Sequence, residues 1–343
     1  MKPIERRVFL KTATLSGIGL SLAASANAGV FFKAPEKRIG IIGLDTSHSV
    51  AFTKALNSGD NSSFNGYKVV AAYPKGSNDI ASSVDRIPGY ITEVKKYGVE
   101  ISGSIEEMLT KVDFVLLETN DGRLHLQQAM AVFKSGKRMF IDKPMTASLA
   151  DAIAIFNASK KYNIPVFSSS SLRYITGMDE VLSGTIGKVT GAQTFSPAKL
   201  EKTHPDLFWY GIHGVETLFT AMGTGCKSVV RISDAYTDMV VGTWDDGRIG
   251  TFRGIRKGKE DYGGTVFGEK GIKVLGPYAG YNPLLEQIIK FFDTGQVPVK
   301  PEETLEILAF MEAADISKAK GGKPESIAEV MKKAEAKASK ILV

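Results

Sequence analysis

Cysteine is almost absent: Cys226 is the only one in 343 residues. A single thiol excludes an internal disulfide framework and any cysteine-rich metal centre. Cys226 is left as a small core residue. Long runs of one charge are also missing. The formal net charge is +6, and half of it falls in the first 28 residues, where Lys2, Arg6, Arg7 and Lys11 face only Glu5. Beyond residue 40 there is no basic stripe and no arginine run, which argues against a nucleic-acid partner. The apolar stretch at 12–24 is too short, and too rich in Ser, Thr and Gly, to span a membrane. Internal repeats are lacking, and the Lys/Ala-rich end of the chain reads as a helix with a solvated face. What remains is a chain with 43% hydrophobic residues, long enough for a full core and two domains.

The first residues read as an address. Glu5-Arg6-Arg7-Val8-Phe9-Leu10-Lys11 precedes the apolar stretch, and Ala26-Asn27-Ala28 closes it. A basic region, a short apolar core and an Ala-x-Ala site predict a signal peptide over 1–28, cleaved after Ala28. The paired arginines before Phe-Leu-Lys resemble the twin-arginine export signal, with Glu5 where Ser or Thr is usual. An ordinary secretory signal is the other reading. The first expects the twin-arginine export machinery as a partner, a periplasmic location, and no membrane association after cleavage. That route moves folded proteins, so it suits a chain that takes up a tightly held cofactor beforehand.

Apolar strands are expected at 37–43, 67–73, 113–118, 138–142 and 165–169. Helical periods fall between them at 49–56, 104–111, 124–135 and 148–162. Alternation of this kind implies a parallel sheet covered by helices on both faces. After Leu172 the texture changes to short, closely spaced strands, with Asp245-Asp246-Gly247 as a hairpin turn. Helical periods return at 284–294, 304–320 and 326–342. The fold class is thus α/β, with a doubly wound domain over 36–170, an α+β domain with a mostly antiparallel sheet over 171–300, and C-terminal helices over 301–343 packing back.

Several segments taken in order carry a resemblance. They are Arg38-Ile39-Gly40-Ile41-Ile42-Gly43, then Asp113 to Asn120 followed by His125, then Gly136-Lys137-Arg138, Asp142-Lys143-Pro144 and Gly211-Ile212-His213. Together they resemble the glucose–fructose oxidoreductase, inositol dehydrogenase and MocA family. The resemblance implies a Rossmann domain, an open-faced sheet carrying the substrate pocket, and a homo-oligomer. The chemistry it implies is hydride transfer between NAD(P) and a hydroxyl carbon of a carbohydrate or cyclitol. It makes Lys143 the catalytic-site lysine, whose ammonium stabilises alkoxide charge. It makes His213 the histidine that accepts the hydroxyl proton. Glu216, one helical turn onward, is expected to orient His213 or the sugar. Trp209 stands where the family has an acidic residue and could stack on a sugar; Arg173 could line the same pocket. Asn120 and His125 are expected near the nicotinamide.

The dinucleotide fingerprint departs from Gly-x-Gly-x-x-Gly. Here it reads Gly43-Leu44-Asp45-Thr46-Ser47-His48. Gly43 keeps the tight turn, whereas Asp45 faces the diphosphate position unless it turns away, for instance as a helix cap. Thr46 and Ser47 offer hydroxyls, and a helix N-terminus offers amides. The second strand ends in Tyr73-Pro74-Lys75-Gly76-Ser77, without the acid that grips an NAD ribose. Lys75 and Ser77 suit a 2′-phosphate and favour NADP. Asp45, His48, Glu118 and His125 could alternatively converge on a metal or on chemistry without net redox change, although no metal is expected. A redox-silent carbohydrate lyase, hydrolase or isomerase, and a non-catalytic carbohydrate binder, are the competing functions.

Overall fold

The computed structural model describes residues 37–59 and 62–342. The expected export signal over 1–28 and its cleavage site lie outside them. The buried runs of the first half form β1 (Arg38–Ile42), β2 (Lys68–Tyr73), β3 (Glu100–Ile101), β4 (Phe114–Leu117), β5 (Arg138–Asp142) and β6 (Val166–Ser169). All pair in parallel, in the order β3-β2-β1-β4-β5-β6. This is a doubly wound Rossmann sheet, and its order reverses between β1 and β4, where a crevice opens beyond the strand ends.

Successive side chains of a strand point to opposite faces, and the core divides accordingly. Ile39, Ile41, Leu116 and Phe140 pack on one side, while Ile42, Val115, Leu117, Met139 and Ile141 pack on the other. The intervening helices are α1 (Ser47–Asn57), α2 (Ala81–Val84), α3 (Ile87–Lys95), α4 (Ile105–Leu109), α5 (His125–Lys134) and α6 (Leu149–Tyr162). Sequence periodicity did not reveal α2, α3 or β3. The reason for α3 is local. Pro88 and Gly89 look like breakers, yet Pro88 sits in the first turn, where its missing N–H costs nothing.

The second half contains α7 (Met178–Leu182), β7 (Val189–Pro197), α8 (Asp206–Trp209), α9 (Ile212–Met222) and β8 (Cys226–Ser233). Then come β9 (Thr237–Trp244), β10 (Ile249–Ile255), β11 (Gly263–Gly268) and β12 (Ile272–Leu275). α10 (Asn282–Thr294), α11 (Pro301–Ala319), β13 (Glu325–Ser326) and α12 (Ile327–Ala338) complete the chain. The second sheet runs β12-β11-β7-β10-β9-β8-β13. Its pairs are antiparallel except β7 with β10. The Asp245-Asp246-Gly247 turn does join β9 to β10 as a hairpin. Helix α10, which sequence reading grouped with 171–300, lies on the first sheet: Leu284, Ile288 and Phe291 pack with Ile41, Phe140 and Phe167. Cys226 is buried. Among the described residues, no helix is long and apolar enough to cross a membrane.

Candidate active site

A chamber of about 400 Å³ opens at the carboxyl ends of the first sheet. Its floor comes from the loops after β1, β4, β5 and β6, through His48, Asn120, Lys143 and Ser171. The α8–α9 segment adds Trp209, Tyr210 and His213, and the second-sheet side adds Tyr262, Tyr278 and Tyr281. Lys143, His213 and Trp209, far apart in sequence, therefore share one cavity. The four tyrosines were not singled out from the sequence. They lie in loops or at strand starts, where no periodicity marks them. Their rings and hydroxyls, with Trp209, give the chamber apolar faces edged by hydrogen-bonding groups, which suits a polyol with C–H and O–H faces.

Lys143 directly follows β5 and is almost fully buried, with Nζ 3.4 Å from Asp142 Oδ2. Burial alone would lower its pKa, but the Asp142 carboxylate more than offsets this and holds the ammonium protonated. His213 lies in the first turn of α9, and its Nδ1 is 2.7 Å from Ser170 Oγ. When Nδ1–H donates to that oxygen, Nε2 is left as the acceptor. Burial, together with the charges of Lys143 and His48, holds the His213 pKa well below its ordinary value. The imidazole is thus neutral and able to take a proton.

The turn after β1 resolves the question of its acidic side chain. Gly43 has φ +92°, and a Cβ there would meet Thr119 Cα at 2.5 Å, so only glycine fits. Asp45 is neither a helix cap nor a chamber residue. Thr46 holds the N-cap position of α1, and no side chain caps that helix. The Asp45 carboxyl is fully buried; Oδ1 accepts from the Asn120 amide at 3.0 Å. A Cβ on Gly76 would lie 2.0 Å from Oδ2. The carboxyl is thus stowed in a seam between the loops after β2 and β4, and burial pushes its pKa up to about 6. Thr46, Ser47, Ser82 and Arg86 line the chamber beside the uncapped end of α1. That donor set fits an anionic diphosphate.

Lys75 lines a separate cavity of about 250 Å³ with Tyr73, Asn78 and Gln127. Ser77 does not join it: its hydroxyl donates to Asp79 at 2.5 Å, and Arg123 approaches at 3.3 Å. The expected Lys75/Ser77 pair for a 2′-phosphate is therefore reduced to Lys75. Arg123 also binds Asp79 and Asp121, tying the loops after β2 and β4 together. Asp121 additionally meets buried His204, 3.2 Å away, a contact without a sequence signal.

Three expected site residues turn out to be buttresses. Glu216 does not touch His213. It accepts from Ser169 Oγ, Ser170 N and Arg173 Nε at 2.8, 2.8 and 2.9 Å, and so holds the segment that presents Ser170 to His213. Arg173 does not line the chamber, because its guanidinium is spent on Glu216 and Glu303. His125 is fully buried between two carbonyls, Thr119 O at 2.6 Å and Met145 O at 3.0 Å, and pins the loops after β4 and β5. Of the grouping of Asp45, His48, Glu118 and His125, only His48 and Glu118 come together, and Asp142 joins them. His48 Nδ1 lies 3.1 Å from Asp142 Oδ1 and 3.7 Å from Glu118 Oε2. Burial and the neighbouring Asp142 push Glu118 up to about 7. Burial opposes ionisation of Asp142 as well, but His48 and Lys143 hold it well below the carboxylate range.

Fold and site together define a Rossmann-type protein with a carbohydrate-sized chamber between its two sheets. Residues 37–169 match the family described as an oxidoreductase family with an NAD-binding Rossmann fold, GFO_IDH_MocA. A 1,5-anhydro-D-fructose reductase from Ensifer adhaerens is 27% identical over 122 residues, covering 34% of this chain and 36% of the reductase. The match thus spans about a third of that relative's length. Scyllo-inositol dehydrogenase from Lactobacillus casei, solved with NAD(H) and scyllo-inositol, aligns at TM-score 0.65 and 16% identity over 85% of this chain and 99% of its own. An oxidoreductase from Agrobacterium radiobacter, solved with NAD⁺, L-tartaric acid and magnesium, aligns at TM-score 0.67 and 16% identity, covering 86% and 99%. These two likenesses concern the fold.

Proposed function

We propose that this chain is an NAD(P)-dependent oxidoreductase acting on a hydroxyl carbon of a sugar, glycoside or cyclitol. The observation that carries the reading is the convergence of Lys143, His213, Trp209 and the tyrosines on one chamber beside the uncapped N-terminus of α1. The names of the reductase and the inositol dehydrogenase support the substrate class. Thr46, Ser47 and Arg86 would hold the diphosphate, and Asn120 and Lys143 the nicotinamide end. The bound nicotinamide supplies a two-electron hydride acceptor or donor. Within the chamber, Lys143 stabilises negative charge on the substrate oxygen. His213 Nε2 takes or returns the hydroxyl proton while Ser170 holds its other nitrogen. Trp209 and Tyr262 cover the apolar face of the ring and exclude water.

NADP is favoured over NAD by Lys75 and by the lack of an acid at the end of β2, and tight retention by the export signal read in 1–28. The same signal supports a periplasmic location. Exposed Ile232, Ile249, Ile272 and Val274 on the second sheet support a homo-oligomer. One observation favours a redox-silent carbohydrate enzyme instead: the chamber and the Lys75 cavity share no lining residue, so the groove a dinucleotide would span is not continuous. The test is a panel of inositols, glycosides and anhydro-sugars assayed for NAD(P)H formation or loss. Activity that falls at least a hundredfold in both Lys143→Met and His213→Gln supports the reading. Turnover of a sugar with no change in nicotinamide absorbance overturns it in favour of the redox-silent enzyme.

A further inference from the structure

We propose that His48, Glu118 and Asp142 form a divalent-cation site in the chamber floor. The three residues sit beyond the carboxyl ends of β1, β4 and β5, which are neighbours in the sheet. One ligand atom from each lies within 4.8 Å of the others. Of the two closest pairs, 3.1 and 3.7 Å, the first falls within the spacing of about 3–3.5 Å expected between ligands that share a metal at about 2.1 Å, and the second lies slightly above it. None of the three residues is more than 5% exposed.

A second observation is independent of the clustering. Glu118 is fully buried, yet neither of its carboxyl oxygens has a hydrogen-bond donor. Buried carboxylate oxygens without donors are costly, and Glu118 Oε2 is aimed at the point where His48 and Asp142 Oδ1 meet. Bound there, a divalent cation would neutralise both carboxylates and supply the missing partner. Lys143 does not compete for the same atom, because its ammonium approaches the other oxygen of Asp142. One imidazole and two carboxylates suit Mn²⁺, Fe²⁺ or Zn²⁺ better than a soft thiophilic ion. His48 lines the chamber, so the cation would be reached from it and could polarise a hydroxyl or carbonyl oxygen. The site rests on side chains alone and stands whether or not a nicotinamide binds.

The competing state needs no ion: protonated His48 and Lys143 would balance the two carboxylates. The chain is stripped with chelator and titrated with MnCl₂, and separately with ZnCl₂, by calorimetry and Mn²⁺ electron paramagnetic resonance. One ion per chain is expected, at micromolar affinity or better. Glu118→Gln and Asp142→Asn should weaken it at least thirtyfold while circular dichroism stays unchanged. The two variants are near-isosteric, and Glu118→Gln removes a buried charge, so it keeps the fold testable. Absence of binding at 1 mM of either ion overturns the proposal. So does binding that Glu118→Gln leaves intact.

Discussion

Replacing Asp45 by asparagine keeps the outline of the side chain and removes its charge. The carboxyl is enclosed, one oxygen takes the Asn120 amide and the other has no donor. Burial raises its pKa from 3.8 to about 6. A value raised in the folded state means that folding favours the protonated acid. That contribution is fully present below about pH 4 and is lost as pH rises through 6. Ionised Asp45 thus costs the fold about 3 kcal/mol near neutrality, at about 1.4 kcal/mol per tenfold in proton affinity. Part of that gain is offset because the new amide needs an acceptor. Asp45→Asn should melt roughly 3–8 °C above the parent at pH 8 and at the same temperature at pH 4. Differential scanning fluorimetry across this range reads both, and the comparison isolates Asp45 from other buried acids. Equal melting at pH 8, or a gap that persists at pH 4, refutes the account of a stowed, strained carboxyl.

Other outcomes follow from the same geometry. Lys143→Met should lower turnover by about 10²–10³ with little change in substrate affinity, read from kcat and KM separately. Because His213 is held neutral far below its ordinary pKa, the parent's kcat/KM should show no acid limb near 6.5 from this residue; a limb there that disappears in His213→Gln would contradict the assignment. Glu216→Gln strips a carboxylate from buried Arg173 and should cost about 2–4 kcal/mol in denaturant unfolding. Gly43→Ala combines a left-handed backbone with a 2.5 Å approach to Thr119, and should lower the melting temperature by several degrees.

The parallel sheet was legible because its strands are buried on both faces and end in turn residues, and the β9–β10 hairpin because Asp-Asp-Gly sits between two alternating runs. The parallel β7–β10 pair was not, since nothing in either strand encodes its partner. Lys143 and His213 were readable from short motifs at strand and helix ends. Arg173 was misplaced for a physical reason: a charged residue near a strand end looks like a site residue until its charge proves to be spent, here on Glu216 and Glu303, whereas Glu216 reaches His213 only through Ser170. His48 and Glu118 were grouped with Asp45 and His125 as residues that could converge on a metal. Their partner Asp142 entered only as the neighbour of Lys143 in a short motif, because three strand ends meet in space and not in sequence. The Ser168-Ser169-Ser170-Ser171 run at the end of β6 could have flagged Ser170, since small hydroxyl residues beyond a buried strand are suited to orienting an imidazole.

The central claim is that this chamber, with its altered glycine turn, takes a nicotinamide dinucleotide. Purified protein is denatured and the supernatant assayed for NAD(P), and refolded or untreated protein is titrated with NADPH while its fluorescence is followed. The account predicts either released cofactor near one per chain or saturable binding that Arg86→Ala weakens. No released dinucleotide, together with a flat titration up to millimolar NADPH, contradicts it.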